Sequence, residues 1–90
     1  MATITLRLYI TGQTVRSKQA IANLEWICTN ITDMDLEYEV IDILEKPAVA
    51  EAEKILATPV LVKISPPPVR RILGDLSDTD KVLFGLDLDY

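Results

Sequence analysis

The side chains that enzymes use most often for acid–base, transition-metal and thiol chemistry are scarce in this sequence. Histidine is absent, which removes the commonest general base and the commonest transition-metal ligand. Cys28 is the single cysteine, and it lies on an apolar helical stripe where burial suppresses the thiolate. Thr14 stands at the start of the same helical pattern, where its hydroxyl fits an N-cap. We therefore expect no catalytic residue, no cofactor and no metal site.

The composition predicts one globular domain. The chain has 90 residues, 49% of them apolar, and no apolar run long enough to span a membrane. Its formal charge of −5 argues against nucleic acid or an anionic membrane as a partner, because both favour positive proteins. A single cysteine permits no intrachain disulfide, and no signal peptide is visible, so a cytoplasmic location is expected.

The spacing of apolar residues predicts a strand and then a helix in the first third of the chain. Alternation over residues 4–10 predicts a strand with one apolar face. Helical spacing from Gln13 or Thr14 to about Asn30 predicts a helix whose core stripe comprises Ser17, Ala20, Ile21, Leu24, Ile27, Cys28 and Ile31. Trp26 lies nearly opposite that stripe. We interpret it as an outward contact residue, with a ring lying flat across polar neighbours as the alternative.

A second strand and a short second helix follow. Residues 36–43 alternate, and the two acids Glu37 and Glu39 share one face with Ile41, which indicates an outer, solvated strand. Pro47 suits the first turn of a helix that we expect to run from Ala48 to about Leu56.

The stretch from Lys54 to Arg71 is the most specific part of the sequence. Thr58–Pro59 introduces an apolar, β-branched strand over residues 60–64. Three consecutive prolines, Pro66, Pro67 and Pro68, fix the backbone without donating hydrogen bonds. Residues 69–73 then predict a return strand at a sheet edge, closed by a turn at Gly74.

The C-terminal residues fit two patterns at once. Ser77 as cap and Asp80 at the capping-box position predict a helix with the apolar stripe Val82, Leu83, Leu86 and Tyr90. Residues 86–90 also alternate apolar and acidic side chains at period two, which is typical of a strand. Gly85 lies where the two patterns meet. A conflict of this kind predicts a bistable segment.

The order β-α-β-α-β-β-α, with Thr58–Pro59 at the head of the third strand, resembles the thioredoxin fold. The resemblance implies a cis peptide bond before Pro59. The redox motif of that fold falls on residues 14–17, where Thr14 and Ser17 replace both thiols, so thiol–disulfide exchange is excluded. Binding of a thiol substrate by these hydroxyls is the alternative to helix capping.

The longest resemblance is to the KaiB family. The segments LRLYITG, VIDILEKP and KILATPVLVKISPPPVRRILGDLSDTDKVLFGLDL are very similar to it and cover almost the whole chain. The resemblance implies a thioredoxin-like α/β fold with an alternative ground state, β-α-β-β-α-α-β. Residues 1–90 would then form one domain, with a stable half (1–45) and a fold-switching half (46–90).

The resemblance also implies function. KaiB proteins are non-enzymatic regulators that bind the KaiC ATPase ring, compete with a sensor-kinase domain of related fold and sequester KaiA. Two settings fit this chain: a circadian oscillator, or stress signalling with a KaiC-like ATPase alone. Positions carried over from the family assign partner binding to Glu37, Glu39, Lys46, Ala50, Glu51 and Lys54, with Ala50 and Glu51 on the outward face of the second helix, opposite Val49 and Ala52.

Two further sets of residues are assigned by sequence and resemblance together. We expect a homodimer or homotetramer at rest, with Trp26, Arg70 and Arg71 at the oligomer interface; ordinary exposed arginines on an edge strand are the alternative. The switch is assigned to Pro59, Pro66, Pro67, Pro68, Gly85 and Asp87. The alternative functions are a thioredoxin-fold enzyme, a thiol-binding domain without redox chemistry and a sensor domain of a histidine kinase.

Overall fold

A four-stranded mixed sheet organises residues 3–86, the part of the chain that the computed structural model describes. The predicted order β-α-β-α-β-β-α is confirmed. The elements are β1 (Ile4–Ile10), α1 (Val15–Asn30), β2 (Leu36–Asp42), α2 (Pro47–Ala52), β3 (Val60–Ser65), β4 (Arg70–Leu73) and α3 (Thr79–Gly85).

The strand order in the sheet is β2-β1-β3-β4. β2 runs parallel to β1, whereas β3 is antiparallel to both β1 and β4. β2 and β4 are therefore the edge strands. The prediction of an outer, solvated second strand is confirmed, since Glu37 and Glu39 are both exposed on β2.

The sheet has a core on each face. The larger core joins Leu6, Leu8 and Leu61 of the sheet to α1 and α3. The smaller core surrounds Tyr9 and Ile41 and includes the following side chains of β3, α2 and the adjoining loop: Val60, Val62, Val49 and Ile55. We call this second side of the sheet the α2 face. No helix within residues 3–86 has the length and apolarity that crossing a membrane requires.

The second helix is shorter than the sequence indicated. It ends at Ala52 rather than near Leu56, and Lys54 adopts a left-handed φ of 55°. The amide of Ile55 then donates to the carbonyl of Ala50 at 2.8 Å, which closes the helix as a left-handed C-terminal cap does. The prediction that the helix continues to about Leu56 is wrong. It was based on the apolar spacing of Ile55 and Leu56, which carries no information about the left-handed conformation of Lys54.

The cap of the third helix is also one residue from its predicted position. Asp78, not Ser77, is the N-cap, and its carboxylate accepts from the amide of Lys81 at 3.1 Å. The amide of Ser77 instead donates to the carboxylate of Asp75. Ser77 therefore belongs to an Asx turn at Asp75 that precedes the helix, and Asp78 caps α3. Its predicted stripe is confirmed for Val82, Leu83 and Leu86, which are buried; Tyr90 lies outside the described residues.

Candidate partner-binding surface

The two acids of β2 project from the α2 face and differ in their surroundings. Glu39 lies opposite Arg7 in the parallel register, and its carboxylate accepts from the Arg7 Nε at 2.8 Å. The Arg7 Nη1 also donates to the hydroxyl of Tyr9 at 3.2 Å. The hydrogen bond with Tyr9, followed by that with Glu39, raises the pKa of Arg7. Glu37 has no ion-pair partner among residues 3–86, so it presents the less compensated charge.

The residues assigned to the α2 region lie along the helix and its two ends. Lys46 precedes the helix, Glu51 lies within it and Lys54 follows it, and all three are exposed. The predicted orientation of this helix is wrong in one respect. Ala52, expected in the core, is exposed, whereas Ala50, expected outside with Glu51 and Lys54, is partly buried. The loop after α2 turns back beside this helix, and the amide of Ile55 donates to the carbonyl of Ala50.

A cleft beside α2 was not predicted from the sequence. It has a volume of about 240 Å³ and is lined by Lys54, Ile55, Leu56, Ala57, Val60, Arg71 and Leu73. Leu56 is 96% exposed and Leu73 is 68% exposed. Arg71 and Leu73 are two residues apart on β4 and therefore lie on the same face of the sheet. No sequence signal indicated that the loop before β3 would lie beside them.

The two arginines of β4 do not form one basic patch. The register pairs Arg71 with Val62 and Arg70 with Lys63, so consecutive side chains lie on opposite faces of the sheet. Arg71 donates to the carbonyl of Glu53 at 2.7 Å and to that of Lys54 at 3.3 Å. The two arginines therefore present their side chains on different faces, and the oligomer contact assigned to them stays a prediction.

Trp26 is exposed, as predicted, with 54% of its surface accessible. It lies on the outer side of α1 and borders a cleft of about 250 Å³ whose other walls are Asn23, Leu76, Ser77 and Thr79. The Asn23 side chain donates to the carbonyl of Asp75 at 2.7 Å and so ties α1 to the loop before α3. Trp26 therefore faces away from the sheet, on the side opposite α2.

The hydroxyls at the start of α1 are engaged with each other. Thr14 is the N-cap: its Oγ1 accepts from the amide of Ser17 at 3.1 Å and donates to the Ser17 Oγ at 2.8 Å. This confirms the capping role predicted for Thr14. Cys28 is half-buried against the core, and desolvation raises the pKa of its thiol. Within residues 3–86 no group of three or more acids and cysteines is arranged to hold a metal ion.

The described residues assigned to the switch lie in the two loops that flank β3 and at the end of α3. The Thr58–Pro59 bond is cis, as the fold resemblance implied, and the Ser65–Pro66 and Pro67–Pro68 bonds are cis as well. Gly85 is the last residue of α3, and a Cβ added there would collide with the Cδ1 of Ile72 on β4. Asp87 lies outside the described residues.

Comparison with known families identifies the chain. The sequence model of the KaiB domain matches residues 7–88, which is most of the chain. The chain belongs to the KaiB family. Among curated KaiB relatives, the circadian clock protein KaiB3 of Synechocystis sp. (strain PCC 6803) is 56% identical over 88 residues, which cover 98% of this chain and 86% of the relative. The circadian clock oscillator protein KaiB of Prochlorococcus marinus (strain MIT 9313) is 53% identical over 88 residues, with 98% and 74% covered.

Solved structures confirm the thioredoxin-like fold of this KaiB-family chain. The N-terminal domain of SasA from Synechococcus elongatus superposes with a TM-score of 0.71 and 18% identity, covering all of this chain and 92% of that domain. Mitochondrial thioredoxin 3 of Saccharomyces cerevisiae gives a TM-score of 0.74 and 15% identity, with 93% and 76% covered. At these identities the likeness shows the fold alone.

Proposed function

We propose that this KaiB-family protein binds a KaiC-type ATPase ring and modulates its phosphorylation and ATPase cycle without catalysing a reaction itself. The observation that carries the proposal is the KaiB-domain match over residues 7–88. The names of the relatives support it, since they are circadian clock proteins.

The binding surface we propose is the α2 face with the exposed side of α2. Glu37, Lys46, Glu51 and Lys54 are exposed there, and Glu39 is exposed but paired with Arg7. Charges of both signs on one surface favour a partner with a complementary pattern, and such complementarity acts mainly on association rate and specificity. The partly buried Ala50 contributes shape rather than a side-chain contact of its own.

We further propose that the C-terminal half, residues 46–90, exchanges between two arrangements while residues 1–45 keep one. The thioredoxin-like arrangement is the ring-binding form in this proposal. The resting form is a homodimer or homotetramer in the cytoplasm, and KaiA or a sensor kinase of related fold is a further partner. The double pattern of residues 77–90 supports the exchange.

The experiment measures ATP hydrolysis and phosphorylation of a purified KaiC-type ring from the same genome, with and without this chain. We expect the chain to change both time courses at stoichiometric amounts. The chain alone, in the same assay and in a disulfide-reduction assay, serves as the control for catalysis. Identical ring time courses with and without the chain would refute the proposed modulation.

A further inference from the structure

The cleft between the α2–β3 loop and β4 has features of a preformed binding site. Two of its lining residues, Leu56 and Leu73, leave large apolar surfaces in water. Ile55 and Val60 form part of its floor and belong to the core of the α2 face. An apolar side chain placed in this cleft would remove several such surfaces from water together, which is the main source of binding free energy at protein interfaces.

The walls of the cleft are held in place by the protein itself. The guanidinium of Arg71 donates to the carbonyls of Glu53 and Lys54 and so joins β4 to the end of α2. The Gly74 amide donates to the carbonyl of Pro59 at 3.0 Å, which ties the end of β4 to the start of β3. Binding to this cleft therefore requires little ordering of the protein, and less of the interaction free energy is lost.

The charged side chains that line the cleft are both basic. Lys54 and Arg71 are its only charged lining residues within the described part of the chain, and no carboxylate lines it, although the whole chain carries −5. The Arg71 guanidinium faces two carbonyl oxygens, while the exposed ammonium group of Lys54 makes no ion pair with a side chain of residues 3–86. A ligand with a carboxylate beside its apolar group would complement this rim.

We propose that this cleft receives a segment of the partner protein in which a large apolar side chain is adjacent to an Asp or Glu. The apolar group lies between Leu56 and Leu73, and the carboxylate lies at Lys54. A second copy of this chain is the alternative occupant, which the second experiment below distinguishes. The inference rests on the proposed ring binding for the identity of the partner, but the chemistry of the cleft is testable without the ring.

The first experiment titrates the ¹⁵N-labelled chain with the peptide Ac-Ser-Leu-Glu-Ser-NH2 and follows amide chemical shifts. Shifts at residues 54–57 and 73 are expected at millimolar peptide. Replacing the peptide Leu by Ala weakens binding about tenfold or more, and replacing Glu by Gln weakens it by about twofold to fivefold. Equal shifts with all three peptides, or no shifts at these residues, would overturn the proposal.

The second experiment decides whether the occupant belongs to the ring. Leu56→Ser removes an almost fully exposed side chain, so the fold is retained, and Val69→Ser is a matched exposed control outside the cleft. We expect Leu56→Ser to weaken ring binding about tenfold or more and Val69→Ser to leave it unchanged. If both variants bind the ring with equal affinity, the cleft is not the binding site, although the proposal that the chain binds the ring still holds. If the wild-type chain does not bind the ring, the proposed function is refuted, and the peptide titration alone then tests the chemistry of the cleft.

If Leu56→Ser loses self-association but keeps ring binding, the occupant of the cleft is a second copy of this chain, which contradicts the proposal.

Discussion

Arg7 and Glu39 form an ion pair across β1 and β2, with 2.8 Å between the Arg7 Nε and the Glu39 Oε1. The parallel register places the two residues directly opposite each other. Glu37, two residues earlier on the same face, faces Thr5 instead. The two acids assigned to partner binding therefore differ. Glu39 forms an ion pair with the neighbouring strand β1, whereas Glu37 is exposed and forms no ion pair with residues 3–86.

Replacing Glu39 by Gln should lower the free energy of unfolding by about 0.2–1 kcal/mol, because the pair is exposed and screened by solvent. Urea titrations at low and high salt measure the loss, which should shrink as salt rises. Glu37→Gln is the matched control and should leave stability unchanged. Equal losses in both variants would mean that the Arg7–Glu39 contact contributes nothing specific.

Reversing the charge of Lys54 should slow association with the ATPase ring at low salt. The residue is exposed at the end of α2 and lies on the rim of the apolar cleft. An interface charge acts mainly on the association rate, so the difference from wild type should diminish as salt screens it. Lys18→Glu, an exposed lysine on α1, is the control. Unchanged association kinetics of Lys54→Glu at low salt would remove Lys54 from the site.

Elements that depend on hydrophobic period or on local capping were predictable from the sequence. The alternation of β1 and the stripe of α1 gave their bounds closely, and the hydroxyl of Thr14 was correctly assigned to the cap. Thr58–Pro59 and the element order indicated the thioredoxin-like fold. These features are encoded over a few neighbouring residues, so a single sequence contains the information.

The missed features depend on contacts between distant segments. The end of α2 depends on the left-handed conformation of Lys54, which non-glycine residues rarely adopt. The cleft lies between segments distant in sequence, and Arg71 of β4 joins them by donating to the carbonyls at positions 53 and 54. The partial burial of Ala50 accompanies a loop that returns to donate a hydrogen bond from Ile55 to its carbonyl. None of these contacts produces a hydrophobic period or a local motif from which it could be predicted.

Gly85→Ala tests the proposed exchange of the C-terminal segment between two arrangements. Alanine favours helix over glycine by up to about 1 kcal/mol, so the proposed exchange should move toward the helical, thioredoxin-like form in this variant. The added Cβ must however displace the Cδ1 of Ile72. The shift should therefore be larger when Ile72→Val, which lacks that methyl group, is combined with Gly85→Ala.

Backbone chemical shifts of residues 77–90 report the two arrangements, and the single variant Ile72→Val is the control for the double variant. The Asp87→Arg variant is expected to favour the helical form as well. One and the same secondary structure in wild type, Gly85→Ala and Asp87→Arg would contradict the proposed exchange.

Trp26→Ser should reduce self-association if the resting form is a homodimer or homotetramer. The side chain is exposed on α1, and burying a large aromatic surface is a common anchor of such interfaces. Light scattering at high micromolar concentration measures the assembly. Phe84→Ser, which removes an exposed aromatic side chain from α3, is the control. A wild-type protein that is monomeric at that concentration would exclude the resting assembly.

The central claim, that this KaiB-family chain is a binding partner of a KaiC-type ATPase, is tested most directly by native mass spectrometry. The purified chain is mixed with the KaiC-type ring from the same genome in its ATP- and ADP-bound states. We predict a complex whose mass equals the ring plus an integral number of these chains in at least one nucleotide state. A spectrum containing only the free ring and the free chain in both states would contradict the claim.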